Sequence, residues 1–347
     1  MKSDIDQLLK DHHAQALWVT GPAQHNPAMV YLTGGGHMTQ ADVIRILGQD
    51  SVLCHAPMER EEATRTGLRT INYSRFPLKD RLTLAHGDRL TANALLYQKI
   101  FEEIGLTSGK VLLYGRTDAG KHYSLVNRLH ELMPGLTFEG DLEDAVLLQA
   151  MATKDQAEIE RIRKMGQVVV TVVSRVAEFM QGHKVVNEIL IKPDGSPLLI
   201  GDVRGKINLW LSELGAENPE DTIFAIGRDA GVPHSSGTPS DPITLGKTIV
   251  FDIFPCEKGG GYFYDFTRTW CLGYAPDKVQ KLYDQVKSVY QKIVSELETN
   301  RNPAEFQDRT CELFESMGHP TIHQDPAIES GYVHSLGHGV GLNIHEK

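Results

Sequence analysis

The chain has 347 residues, 41% hydrophobic and 23% charged. That length exceeds one ordinary domain and that composition supports sizeable cores, so two globular domains are expected. The formal net charge of −10 argues against a general affinity for nucleic acid or anionic membrane and leaves the fold open.

The amino terminus, Met1-Lys-Ser-Asp-Ile-Asp-Gln-Leu-Leu, carries acids early and lacks the apolar run of a signal peptide. No stretch approaches the roughly 20 apolar residues of a membrane span. Cys54, Cys256, Cys271 and Cys311 are far apart, without CxxC spacing, and read as buried core thiols in a reducing cytoplasm.

In the first 150 residues, Ala16-Leu-Trp-Val-Thr, Met29-Val-Tyr-Leu-Thr, Ser51-Val-Leu-Cys and Val111-Leu-Leu-Tyr predict short buried strands. A helix is expected over 95–104, giving a mixed α/β unit. Gly34-Gly35-Gly36 lacks the context of a phosphate-binding loop and reads as a turn.

Composition shifts near Lys154. Apolar residues at 159, 162, 165, 169, 172, 176 and 180, opened by acids and closed by Gly182, predict a helix of more than five turns. Strands follow at Thr222-Ile-Phe-Ala-Ile, Thr248-Ile-Val-Phe-Asp-Ile-Phe and Tyr262-Phe-Tyr-Asp-Phe-Thr-Arg-Thr-Trp. A second helix from Pro276 places Val279, Leu282, Val286, Val289, Ile293 and Leu297 on one face. A third spans about 303–317 and stops at Gly318. The second half is therefore an α+β unit, with helices on an antiparallel sheet.

Asp252 and Asp265 each stand inside an otherwise hydrophobic strand, where a lone ionised acid costs several kcal/mol. Glycine-rich Glu257-Lys-Gly-Gly-Gly joins the two strands, so a hairpin can bring the acids face to face. Facing carboxylates need a shared proton, a basic partner or a cation. The tail supplies nitrogen ligands: His319, His323, His334, His338 and His345. In His334-Ser-Leu-Gly-His-Gly-Val-Gly-Leu-Asn-Ile-His-Glu the glycines predict an extended, close-packed backbone, and in a strand His334 and His338 share a face. His234 lies in a turn-rich loop before Asp252.

Together these pieces resemble the pita-bread metallopeptidase family of methionine aminopeptidase, prolidase, aminopeptidase P and creatinase. The pattern is a loop histidine (His234), a strand aspartate (Asp252), then Asp265-Phe-Thr-Arg-Thr, then His334 through Glu346. The resemblance implies a pita-bread catalytic domain over 151–347, a curved antiparallel sheet covered by helices. A smaller mixed α/β, creatinase-like N-terminal domain would occupy 1–150.

It further implies that Asp252, Asp265 and His338 bind metal, that His234 and His345 act on the substrate and the tetrahedral intermediate, and that His334 lines the substrate pocket. Two divalent ions (Mn, Co or Zn), a short Xaa-Pro peptide substrate and a homodimer are expected on the same grounds. The family pattern also has two glutamate ligands beyond the histidine block, which this sequence, ending at Lys347, does not contain. A domain truncated at its C-terminus, or an inactive homologue acting as a binding protein, is the alternative expectation; a metal-independent creatinase-like amidinohydrolase is another. Retention of both aspartates argues against the last.

Overall fold

The computed structural model describes residues 4–142 and 145–346, so Met1–Ser3 and Lys347, at the outer ends of the expected domains, lie outside it. Helix α1 (Ile5–Asp11) leads into β1 (Ala16–Gly21), followed by α2 (Pro27–Thr33), β2 (Ala41–Ile46), β3 (Val52–His55) and β4 (Arg69–Asn72). Helix α3 (Arg89–Ile104), β5 (Gly109–Gly115), α4 (Ala119–Leu132) and β6 (Leu136–Gly140) complete a six-stranded sheet of order β4-β3-β2-β1-β5-β6. It is mixed: β1 runs antiparallel to β2 and parallel to β5. Every residue of β1 is buried, as expected of a central strand covered on both faces. Leu17 and Val19 enter one core, and Ala16 and Trp18 enter the other.

Met29-Val-Tyr-Leu-Thr, expected as a strand, is α2. Pro27 occupies its first turn, the Asn26 side chain caps it, and Gly34 ends it at φ +83°. All five residues are buried, so no polar face marks the period, and a short apolar run then fits helix and strand equally.

Helix α5 (Gln156–Gln181) opens with a capping box between Asp155 and Glu158. Its buried side, Met165, Val169, Val172, Val176 and Met180, packs with α6 (Ile200–Glu213) on a three-stranded antiparallel sheet. That sheet comprises β7 (Ile223–Ile226), β8 (Thr248–Ile253) and β9 (Phe266–Cys271), with β8 central. Ile249, Phe251 and Ile253 point into the core. Tyr262 and Leu342 instead join the core on one face of the first sheet, which locks the second half onto the first.

Helix α7 (Asp277–Glu296) differs from expectation in what it buries. Val289 and Ile293 are covered, against Phe314 of α8 (Pro303–Ser316). Leu282, Val286 and Leu297 of the expected buried stripe stay about half exposed. Among the described residues α8 is the helix that packs on α7, and one short neighbour covers a fraction of its apolar face.

Candidate metal centre

The site begins with strand alternation. Along β8 the core takes Ile249, Phe251 and Ile253, so Val250 and Asp252 face the other way and are half-buried. Asp252 therefore lies on the outward face of the sheet and not within the hydrophobic core. The antiparallel register sets Thr267 of β9 directly opposite Asp252, and its hydroxyl donates to Asp252 Oδ1 at 2.7 Å. Asp265 precedes β9 by one residue, two positions from Thr267, so the acids meet diagonally rather than face to face. The hairpin register continues beyond the strands, through Tyr264 N to Pro255 O and Glu257 N to Tyr262 O.

Burial pushes the Asp252 carboxyl above its ordinary value; the Thr267 hydroxyl opposes the shift, and the charge and hydrogen bond of Asp265 add to it. Two acids this close, without a cation, are eased when one holds a proton. His234, exposed in its loop with φ +59°, is near enough for its charge to lower the same carboxyl.

The tail histidines arrive on a loop and not on the expected strand; among residues 334–346 one isolated bridge is formed, between Gly339 and Glu346. Reciprocal backbone hydrogen bonds of 2.8 Å between Gly339 and Glu346 close the loop, and Phe263 N donates to Gly341 O at 2.8 Å. That last contact sets the loop beside the hairpin, two residues before Asp265. As a result Asp265, His338 and His345 each offer one donor atom, all within 4.8 Å of one another. The rings of His338 and His345 meet edge to face, with centroids 4.3 Å apart. His334 is exposed, edge-on to the Tyr332 ring with Nδ1 on Ser335 O, and stands outside the three-donor cluster.

The donor chemistry fits a divalent cation. With His338 Nδ1 donating to Gly339 O at 2.9 Å, Nε2 turns its lone pair toward Asp265 Oδ2 at 3.4 Å. Two acceptors facing each other call for a cation or a second proton between them. A backbone-anchored imidazole of this kind is the usual support of a metal ligand. Carboxylate oxygen with imidazole nitrogen suits Mn²⁺, Co²⁺ or Zn²⁺.

Sequence reading passed over the residues that hold these segments. Lys154 pairs with the Glu346 carboxylate, Glu158 accepts from Tyr262 Oη at 2.6 Å, and Arg161 donates to both oxygens of Glu257. Glu158 and Arg161, three positions apart and so on one face of α5, were the available signal, while Lys154 lies just before the helix. A cavity lined by Arg228, Asp229, Asp241 and Lys247 lies at the other end of the β7–β8 pair from Asp252.

Residues 160–347 match metallopeptidase family M24. The chain is 27% identical over 206 residues to a Xaa-Pro dipeptidase of Pyrococcus furiosus, covering 58% of this chain and 51% of that protein. It is 21% identical over 250 residues to a Xaa-Pro dipeptidase of Lactobacillus delbrueckii, covering 72% and 61%. The chain thus spans between half and three fifths of these relatives' own lengths. Among solved structures, a prolidase from Pyrococcus furiosus superposes with TM-score 0.70 at 20% identity, covering 98% of this chain and 84% of that one. An X-Pro aminopeptidase from Thermotoga maritima gives 0.72 at 17% identity, covering 99% and 83%. At such identity the structural likeness shows the fold: a mixed α/β N-terminal domain followed by a pita-bread domain.

Proposed function

The chain belongs to metallopeptidase family M24, and from that premise we propose that it hydrolyses short peptides by a metal-dependent route, with Xaa-Pro bonds as its substrate class. The observation that carries this reading is the convergence of Asp265, His338 and His345 donors within 4.8 Å, with Asp252 hydrogen-bonded alongside. The Xaa-Pro preference rests on the Xaa-Pro peptidases among its relatives.

Asp252, Asp265 and His338 are the proposed protein ligands, with His345 at the edge of the same cluster. Divalent metal there, up to two ions, supplies Lewis acidity toward water and the scissile carbonyl. Burial and the neighbouring Asp265 push the Asp252 carboxyl above its ordinary value, and a cation's charge would favour its ionised, coordinating form. His234 and His345, both exposed, orient the peptide and donate to the oxygen on which charge develops. His334 lines the approach to the cluster. Both strand acids being present favours this reading over metal-independent amidinohydrolysis.

The proposal extends to a domain division near residue 150, a homodimer and a cytoplasmic location. Four free thiols support a reducing compartment, and among the described residues no helix is long and apolar enough to cross a membrane. The test is turnover of Xaa-Pro dipeptides and longer Xaa-Pro peptides after loading with Mn²⁺, Co²⁺ or Zn²⁺. Metal-dependent release of the residue before proline supports the proposal. Bound metal without turnover of any peptide would favour a binding protein on this fold.

A further inference from the structure

Glu346 is an acid almost wholly withdrawn from water: its side chain is 1% exposed. It fills the inside of the loop that begins after His338 and includes His345. One carboxylate oxygen accepts from Leu342 N at 2.9 Å and from Asn343 N at 3.4 Å. Gly341 makes room for it, since a Cβ there would stand 2.3 Å from Glu346 Oε1. A buried carboxylate needs a counter-charge, and among the described residues its ion-pair partner is Lys154, itself 15% exposed. Lys154 comes from the connection into α5, far from the loop in sequence.

The same end of α5 grips the other metal-bearing segment. Glu158 takes the Tyr262 hydroxyl, and Arg161 binds Glu257 while its guanidinium lies 4.7 Å from the Tyr262 ring centroid. Tyr262 N also donates to Glu257, and Phe263 N ties this segment to the loop. The start of α5 and the residue just before its cap therefore hold both the stretch leading to Asp265 and the loop carrying His345.

We propose that Lys154 is a positioning residue: by neutralising Glu346 inside the histidine loop, it fixes His338 and His345 at coordinating distance from Asp265. The inference rests on the metal-site reading above. A plain structural ion pair would stabilise the fold without tuning the site, and the two roles separate experimentally.

The experiment measures Co²⁺ affinity, from the visible absorption of the bound ion, and amide hydrogen exchange of Gly339 and Glu346. The whole chain is compared with Lys154→Met and with Lys154→Met/Glu346→Gln. The single variant leaves a buried charge unpaired, whereas the double variant removes that charge and keeps an acceptor for Leu342 N and Asn343 N. Lys154→Met is expected to weaken Co²⁺ binding about 10–100-fold, the usual effect of losing a support behind metal ligands, and to speed exchange at both amides. The double variant is expected to recover most of the affinity.

Unchanged affinity in Lys154→Met despite a lowered melting temperature would overturn the proposal. So would a double variant that binds as poorly as the single one. If the unmodified chain takes up no Co²⁺, the metal-site reading itself fails; the positioning of the loop is then judged by exchange alone, and unchanged exchange in Lys154→Met overturns it.

Discussion

Asp265 Oδ2 stands 3.4 Å from His338 Nε2 while Nδ1 of the same ring engages Gly339 O at 2.9 Å. The backbone thus fixes the ring, and the ring presents its second nitrogen to the carboxylate. A histidine serving only to pack would not need both constraints. Removal of this ring is expected to cost more metal affinity than the 10–100-fold of a supporting residue. His334→Ala, which lies outside the donor cluster, is expected to leave metal affinity near that of the unmodified chain and to act on KM for peptide. Calorimetric titration of His338→Ala and His334→Ala with Mn²⁺ or Co²⁺ checks the contrast; equal losses in both would break the distinction drawn between these histidines.

The raised carboxyl of Asp252 has a sign that can be read. Its folded pKa lies above the ordinary 3.8, so the folded chain favours the protonated form more than the unfolded chain does. The stability it contributes is fully present below the unfolded pKa and is lost as pH rises through the higher folded value. In chelator, Asp252→Asn should therefore match the unmodified chain below about pH 4 and become the more stable of the two as pH rises above it. With metal present the order reverses, because the cation uses the charged carboxylate. Thermal melts across this range, with and without Co²⁺, test both halves; a variant that is less stable in chelator at every pH would contradict the reading.

Gly166, within α5, lets the hairpin close on the helix. A Cβ at this position would stand 2.7 Å from Cε2 of the Tyr264 ring, next to Asp265. Alanine would gain about 1 kcal/mol of helix propensity against about 1–3 kcal/mol for overpacking beside a ring. Overpacking wins by this balance, so Gly166→Ala should lose about 1 kcal/mol in urea unfolding and weaken metal binding as Tyr264 is pushed outward. A gain in stability would show that the ring gives way freely.

Much of this architecture was legible in the chain. The apolar repeat from Ile159 to Met180, with acids before it and Gly182 after, marked α5 because helical period and capping chemistry agree. Strands β8 and β9 were legible from their β-branched and aromatic runs, and Asp252 inside β8 with Asp265 just before β9 pointed to a site. Met29–Thr33 failed because a wholly buried run shows no period. The histidine string failed for another reason: its shape comes from a glutamate folding back onto its own backbone, not from alternation. Lys154 and Glu346 are separated by 192 positions, and no local pattern encodes a pairing made only by tertiary packing. The half-exposed apolar stripe of α7 follows the same rule, since periodicity tells which side is apolar but not how much of it a neighbour covers.

The most direct measurement is divalent metal bound per chain, after loading with Mn²⁺, Co²⁺ or Zn²⁺ and removal of excess, for the whole chain and for Asp265→Ala. At least one ion per chain, lost in Asp265→Ala, is the result expected if Asp265, His338 and His345 form a metal centre. No ion in either protein, or equal ions in both, would contradict it.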